Sequence, residues 1–70
     1  MKAGVSDMLL LKSTSHYGFL CIENKTPKGR QKPEQKVFQF EVERHGGKYI
    51  IVRSIDDFIQ AIDNYLNEEL

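Results

Sequence analysis

The sequence has few of the features that hold very small proteins together covalently or anchor them in membranes. Its 70 residues include one cysteine, Cys21, two prolines and no tryptophan. A single cysteine excludes an internal disulfide, which fits a cytoplasmic setting. No apolar run approaches the roughly 20 residues that cross a bilayer, and the N-terminus shows no signal-peptide pattern. We therefore expect one small domain over residues 1–70, marginally stable unless two copies share a core, with no membrane partner.

The sequence also lacks net charge, yet its charges are segregated. Ten basic residues balance ten acidic residues. Residues 25–36 contain five basic residues and one acidic residue, whereas residues 54–70 contain five acidic residues and no basic residue. A basic segment of this kind can attract a polyanion, but a solvated loop beside a solvated helix has the same composition. On charge alone the solvated loop is the simpler interpretation.

Two short segments near the N-terminus predict a β-hairpin. Residues 7–11 are mostly apolar, and residues 17–24 are rich in aromatic and β-branched side chains. The polar segment 12–18 between them suits a connection. If the hairpin is centred on Ser15, each residue pairs with the one equally far from Ser15 on the other side, so the numbers of two paired residues add up to 30.

This register brings several side chains to one face of the predicted sheet. Leu9 lies opposite Cys21, and Asp7 lies opposite Glu23, because side chains alternate along a strand. Lys25 shares the same face. Two carboxylates that face each other repel, so we expect water, a proton or a metal ion to offset the charge of Asp7 and Glu23.

Residues 34–45 allow two interpretations. Phe38, Phe40 and Val42 alternate as they would in a strand. Phe38 and Val42 also share one face of a helix, which Gly46 could end. The local pattern leaves both structures open.

The C-terminal part is clearer. Residues 48–53 predict a strand. Ser54 can cap a following helix, and Asp57, three residues later, can accept a hydrogen bond from the backbone at the start of that helix, as in a capping box. The apolar stripe of this helix comprises Ile55, Phe58, Ile59, Ile62 and Leu66. With a helix between the second and third strands, the predicted fold class is α/β, in the order ββαβα, with a mixed sheet flanked by helices.

Asp7, Glu23 and Lys25 form a candidate catalytic site. Two carboxylates at paired strand ends make an oxygen-rich site for Mg²⁺ or Mn²⁺. A lysine beside them can orient water or stabilise charge on a phosphate, and the basic loop could bind a phosphate backbone. From these three residues alone, a salt bridge at a strand end is the simpler alternative.

The surrounding residues resemble the PD-(D/E)xK nuclease superfamily, and more specifically its virus-type replication–repair nuclease (VRR-NUC) branch. That branch shows a turn ending in aspartate, then Glu-x-Lys, a Gly-Arg loop, a glutamine that opens a helix, and Gly-Gly before the next strand. This chain has these motifs at residues 4–7, 23–25, 28–30, 35 and 46–47. The resemblance covers essentially the whole chain and implies a restriction-endonuclease-like core with a helix over residues 34–45.

The resemblance implies a role for each residue of the site. Asp7, Glu23 and the backbone carbonyl of Asn24 would bind Mg²⁺ or Mn²⁺, and Lys25 would be the catalytic lysine. Gln35 would support the site, although an exposed residue in the first turn of a helix is an equal alternative. DNA contacts would come from the basic residues that follow the motif, namely Lys28, Arg30, Lys32 and Lys36.

The resemblance also implies an activity. Members of the family hydrolyse DNA phosphodiesters, and the small stand-alone members resemble Holliday-junction resolvases and act as homodimers. We therefore expect a metal-dependent DNA endonuclease, selective for branched DNA, in the cytoplasm of a bacterial or phage-infected cell.

The chain departs from the family pattern in two places. Ser6 stands where the family has proline. Only residues 1–6 precede Asp7, so we expect the core to lack the family's usual N-terminal helix and the acidic residue that this helix supplies. The alternative function is a catalytically inactive nuclease-like module that binds DNA or a partner protein.

Overall fold

A computed structural model describes residues 8–70 of the chain. Within this range the elements are β1 (Met8–Leu10), β2 (Leu20–Asn24), α1 (Pro33–Arg44), β3 (Lys48–Val52) and α2 (Ile55–Leu66). The order ββαβα and the α/β class predicted from the sequence are confirmed. No helix in this range is long and apolar enough to cross a membrane.

The strands of residues 8–70 form a three-stranded mixed sheet with β2 at its centre. β1 is antiparallel to β2, and β3 is parallel to β2 because α1 carries the chain back between them. The pairing of Leu9 with Cys21 confirms the predicted hairpin register. The predicted pairing of Asp7 with Glu23 lies outside the described residues.

Helix α1 decides between the two interpretations of residues 34–45. Pro33 is its first residue, where a missing N–H and a fixed φ are tolerated. Gln35 Oε1 accepts a hydrogen bond from the Lys32 backbone N–H at 2.8 Å and so caps this end. Gly46 follows the helix with φ of 90°, a conformation that favours glycine. The predicted alternative of a strand through Phe40 is therefore wrong. Phe40 lies on the solvent side of the helix and is 64% exposed.

The two helices cover opposite faces of the sheet. One hydrophobic cluster joins α2 to the sheet and contains Leu20, Ile22, Val52, Ala61 and Tyr65. The other joins α1 to the sheet and contains Cys21, Val42 and Tyr49, with Phe38 packed edge-on against the Tyr49 ring. Neighbouring residues of β2 belong to different clusters because strand side chains alternate. The central strand is therefore buried on both faces.

The apolar stripe predicted for α2 is only partly its buried face. Ala61 and Tyr65 are buried against the sheet, whereas Ile55 is 77% exposed, Ile59 52% and Leu66 48%. The helix turns its Ala61–Tyr65 side to the sheet because the small residue permits close approach and the large aromatic ring fills the core. An apolar row thus remains on the outer side of α2.

Candidate functional site

Glu23 is a carboxylate buried near the end of the central strand. Glu23 is 4% exposed. Its side chain lies on the α1 side of the sheet because neighbouring side chains of a strand point to opposite faces, and that of Ile22 points to the other face. Lys25 Nζ lies 3.9 Å from Glu23 Oε2, and the Tyr49 hydroxyl donates a hydrogen bond to Glu23 Oε1 at 3.4 Å. A buried carboxylate is costly without such partners, so these two groups stabilise its charged form.

Lys25 is held beside Glu23 by the backbone. Its N–H donates to the Val52 carbonyl at 2.9 Å, which continues the parallel pairing one residue past β2. Alternation then directs the Lys25 side chain to the same face as Glu23, and that side chain is 12% exposed. The structure therefore brings together the acid and the base of the Glu-x-Lys motif.

Tyr49 belongs to this site although the sequence did not single it out. It is buried on β3 and pairs in register with Cys21, two residues before Glu23. Burial raises the pKa of Tyr49, and the negative charge of Glu23 adds to the rise, while the Gln31 side chain acts in the opposite direction. The phenol therefore remains protonated at neutral pH and acts as a hydrogen-bond donor.

Asn24 ends β2 and pairs with Val52. Asn24 is exposed, and its side chain points to the face of the sheet opposite that of Glu23 because side chains alternate along a strand. A metal ligand from Asn24 would thus have to be its backbone carbonyl, as the family resemblance implies. This role stays a prediction.

Gln35 is buried rather than exposed, so the alternative of a solvated first-turn residue is wrong. It is 7% exposed, and its side-chain oxygen accepts from the Lys32 N–H that precedes α1. The sequence signal for this cap was the glutamine in the first turn, two residues after Pro33. Capping is the role that this hydrogen bond demonstrates, and support of the catalytic site stays a prediction.

The basic loop, residues 25–32, contains a tight turn. The Gly29 N–H donates to the Thr26 carbonyl at 3.0 Å, and Pro27 occupies the position of a β-turn that favours proline. Lys28 lies inside this turn and Arg30 follows it, and both residues are exposed. Two further predicted DNA contacts, Lys32 and Lys36, are exposed at the start of α1.

An open cleft of about 420 Å³ lies where the carboxyl ends of β2 and β3 meet the start of α2. Its lining includes Lys25 from the motif and Arg53, which follows β3. Clefts at the carboxyl ends of neighbouring parallel strands are common ligand sites in α/β proteins. The cleft therefore lies beside Lys25, just past the carboxyl end of β2.

The described residues supply part of the predicted metal site. The carboxylate of Glu23 and the carbonyl of Asn24 are hard oxygen donors of the kind that Mg²⁺ and Mn²⁺ prefer. Among residues 8–70, no group of three His, Cys, Asp or Glu side chains is placed to hold a metal ion. Asp7, the second predicted carboxylate ligand, lies outside this range. The predicted metal site, which includes Asp7, stays a prediction.

Comparison with known proteins assigns no family to this chain. No family model matches the sequence, and no curated protein or solved structure matches it. The resemblance to VRR-NUC nucleases consequently depends on the motif residues themselves and remains a prediction.

Proposed function

We propose that the chain is a metal-dependent endonuclease of the VRR-NUC type that hydrolyses phosphodiesters in branched DNA. The observation that carries this proposal is a buried Glu23 carboxylate in contact with Lys25 and followed directly by an exposed basic turn. A carboxylate that can bind a divalent metal ion, a lysine beside it and an adjacent basic loop are groups that metal-dependent phosphodiester hydrolysis can use.

In the proposed site, Asp7, Glu23 and the Asn24 carbonyl would hold Mg²⁺ or Mn²⁺. A bound metal of this kind lowers the pKa of water and offsets negative charge at phosphorus. Lys25 orients the attacking water or stabilises charge on the phosphate. Tyr49 donates to Glu23 and keeps its carboxylate oriented.

The exposed basic residues bind the DNA backbone in this proposal. Lys28 and Arg30 lie on and after the turn, while Lys32 and Lys36 continue the basic surface onto α1. Such contacts make affinity fall steeply as salt rises, because binding displaces condensed counterions. A homodimer would present two such sites to the symmetry-related strands of a four-way junction.

A second candidate is a catalytically inactive module that binds DNA or a partner protein. One observation favours it specifically. Lys25 and Tyr49 contact the two carboxylate oxygens of Glu23, so within the described residues this buried carboxylate has protein partners without a metal ion. The basic loop serves DNA binding in either case.

Cleavage assays distinguish the two functions. Labelled four-way junction, flap and linear duplex DNA are incubated with the protein in Mn²⁺, Mg²⁺ or EDTA. We expect the wild type to cut the junction with metal and to be inactive in EDTA, and Lys25→Ala to be inactive throughout. Lys12→Ala, which removes an exposed lysine outside the basic loop, is the matched control and should cut like the wild type.

A folded wild-type protein that cuts none of these substrates with either metal would contradict the enzyme proposal. Salt-sensitive binding to DNA under the same conditions would then support the inactive module. Cutting that persists in Lys25→Ala would show that another residue carries the chemistry.

A further inference from the structure

Arg53 connects the basic loop to the end of β3. Its Nη1 group donates hydrogen bonds to two backbone carbonyls of the loop, Thr26 at 2.9 Å and Gly29 at 2.5 Å. A guanidinium Nη group carries two N–H bonds, so one nitrogen can serve both acceptors. The contact spans the two ends of the turn that contains Lys28.

The turn itself is compact. Thr26 O accepts both from Arg53 and from the Gly29 N–H at 3.0 Å. A side chain at Gly29 would place its Cβ 2.9 Å from Thr26 Oγ1 and 3.3 Å from Thr26 N. A side chain at Gly29 would therefore require Thr26 to shift, so glycine suits the close approach of the two ends of the turn, which Arg53 also contacts.

Arg53 is anchored on the opposite side by the first turn of α2. Its backbone N–H donates to Asp57 Oδ2 at 3.0 Å, and the Asp57 N–H donates to Ser54 Oγ at 3.0 Å. The residue before Arg53, Val52, accepts the Lys25 N–H at 2.9 Å. Arg53 therefore links the turn to the same strand end that holds Lys25.

We infer that Arg53 is a positioning residue, which keeps Lys28 and Arg30 at a defined place relative to Lys25. This inference rests on the proposed function. Without the contact, the turn would sample more conformations, and binding DNA would have to order it again. Arg53 thus increases DNA affinity by preorganising other residues, through its carbonyl contacts and not by meeting a phosphate itself.

The first experiment measures the contact without DNA or metal. Amide hydrogen exchange of Gly29 is compared in the wild type, in Arg53→Lys and in the control Arg44→Lys. Arg44 is also an exposed arginine, but it pairs only with Glu41 on the surface of α1 among the contacts described in residues 8–70. Lysine keeps the charge and loses the planar donor group, so Gly29 should exchange about tenfold faster in Arg53→Lys alone. Exchange at the wild-type rate would overturn the inference.

The second experiment measures junction affinity in EDTA at several salt concentrations. We expect Arg53→Lys to weaken binding about tenfold without changing the salt dependence, whereas Arg30→Ala should reduce the slope of log K against log salt by about one. Arg44→Lys should bind like the wild type.

Two results would overturn the inference at this stage. Wild-type affinity in Arg53→Lys would by itself overturn the role in DNA binding. A reduced salt slope in Arg53→Gln would then make Arg53 a phosphate contact. If the wild type binds no DNA, the proposed function and the role of Arg53 in DNA binding both fail, while faster Gly29 exchange in Arg53→Lys would still show that the turn is held.

Discussion

Glu23 illustrates how a carboxylate is retained inside a very small domain. Its two described partners come from different parts of the chain, Lys25 by local alternation and Tyr49 through the parallel pairing of β2 and β3. A hydrogen bond to a charged group contributes more than a neutral one, and a buried acceptor that loses its donor is destabilising. The identity of these two neighbours therefore affects stability as well as the proposed chemistry.

Replacing Tyr49 by phenylalanine tests this arrangement. Tyr49→Phe removes the O–H donor to Glu23 but keeps the ring that packs against Phe38. We expect the free energy of unfolding to fall by about 1–2 kcal/mol, measured by urea denaturation at pH 7. Tyr17→Phe, at a half-buried tyrosine outside the site, is the control and should cost less. An equal loss in both variants would show that the Glu23 contact adds nothing.

At the scale of the elements, capping residues mark where the two helices begin. α1 begins at Pro33 with the Gln35 cap, and α2 begins at the Ser54 cap. The start of α2 was predicted from the sequence because its cap depends on residues only a few positions apart, whereas the local pattern left residues 34–45 open between helix and strand. The buried side of α2 could not be predicted in this way, because it depends on how Tyr65 fits the sheet.

Removing the cap of α1 should destabilise the protein modestly. Gln35→Ala deletes the acceptor of the Lys32 N–H, and we expect a loss of about 1 kcal/mol in urea denaturation. Glu43→Ala, at an exposed position of the same helix, should stay within about 0.5 kcal/mol of the wild type. A wild-type stability for Gln35→Ala would mean that water replaces the cap.

The C-terminal half of α2 is connected to the hairpin by Tyr65. Its hydroxyl donates to the Lys12 carbonyl at 2.5 Å, and burial raises the pKa of Tyr65 above 10.0. A raised pKa means that the folded state favours the protonated phenol. Its contribution is therefore complete below about pH 10 and is lost as the pH rises through the pKa in the folded state.

Tyr65→Phe tests that contribution. Urea denaturation at several pH values would measure the effect. At pH 7 we expect the variant to be about 1 kcal/mol less stable than the wild type. Between about pH 9 and pH 12 the variant should lose less stability than the wild type does, because it has no phenol at this position to ionise. Identical pH profiles in the two proteins would assign the alkaline loss to other groups, Tyr49 included.

At the scale of the whole molecule, residues 8–70 leave several apolar side chains exposed. Among the described residues, Val37 and Phe40 are each 64% exposed on α1, and Ile55 and Ile59 are exposed on α2. A domain of this size gains little stability from its own core, and a second copy could cover such residues. The homodimer stays a prediction.

Sedimentation analysis at micromolar concentration tests the dimer and locates it. If α1 forms the interface, Phe40→Glu should shift the protein to monomers, because a buried unpaired charge opposes association. Ile59→Glu, a matched change on α2, should leave the dimer intact. The opposite pattern would place the interface on α2, and a monomeric wild type would contradict the prediction.

The sequence by itself determined the features that depend on near neighbours along the chain. These are the hairpin register that pairs Leu9 with Cys21, the start of α2 at the Ser54 cap, and the shared face of Glu23 and Lys25. Each follows from alternation, caps or breakers within a few residues.

Only the tertiary structure decided the rest. A helix forms over residues 33–44 because the sheet buries one side of it, which the alternating aromatics could not reveal. Tyr49 reaches Glu23, and Arg53 reaches the basic turn, across separations of 26 and 24 residues or more. Such contacts depend on the parallel pairing of β2 with β3, which joins distant parts of the chain and leaves no local pattern in the sequence.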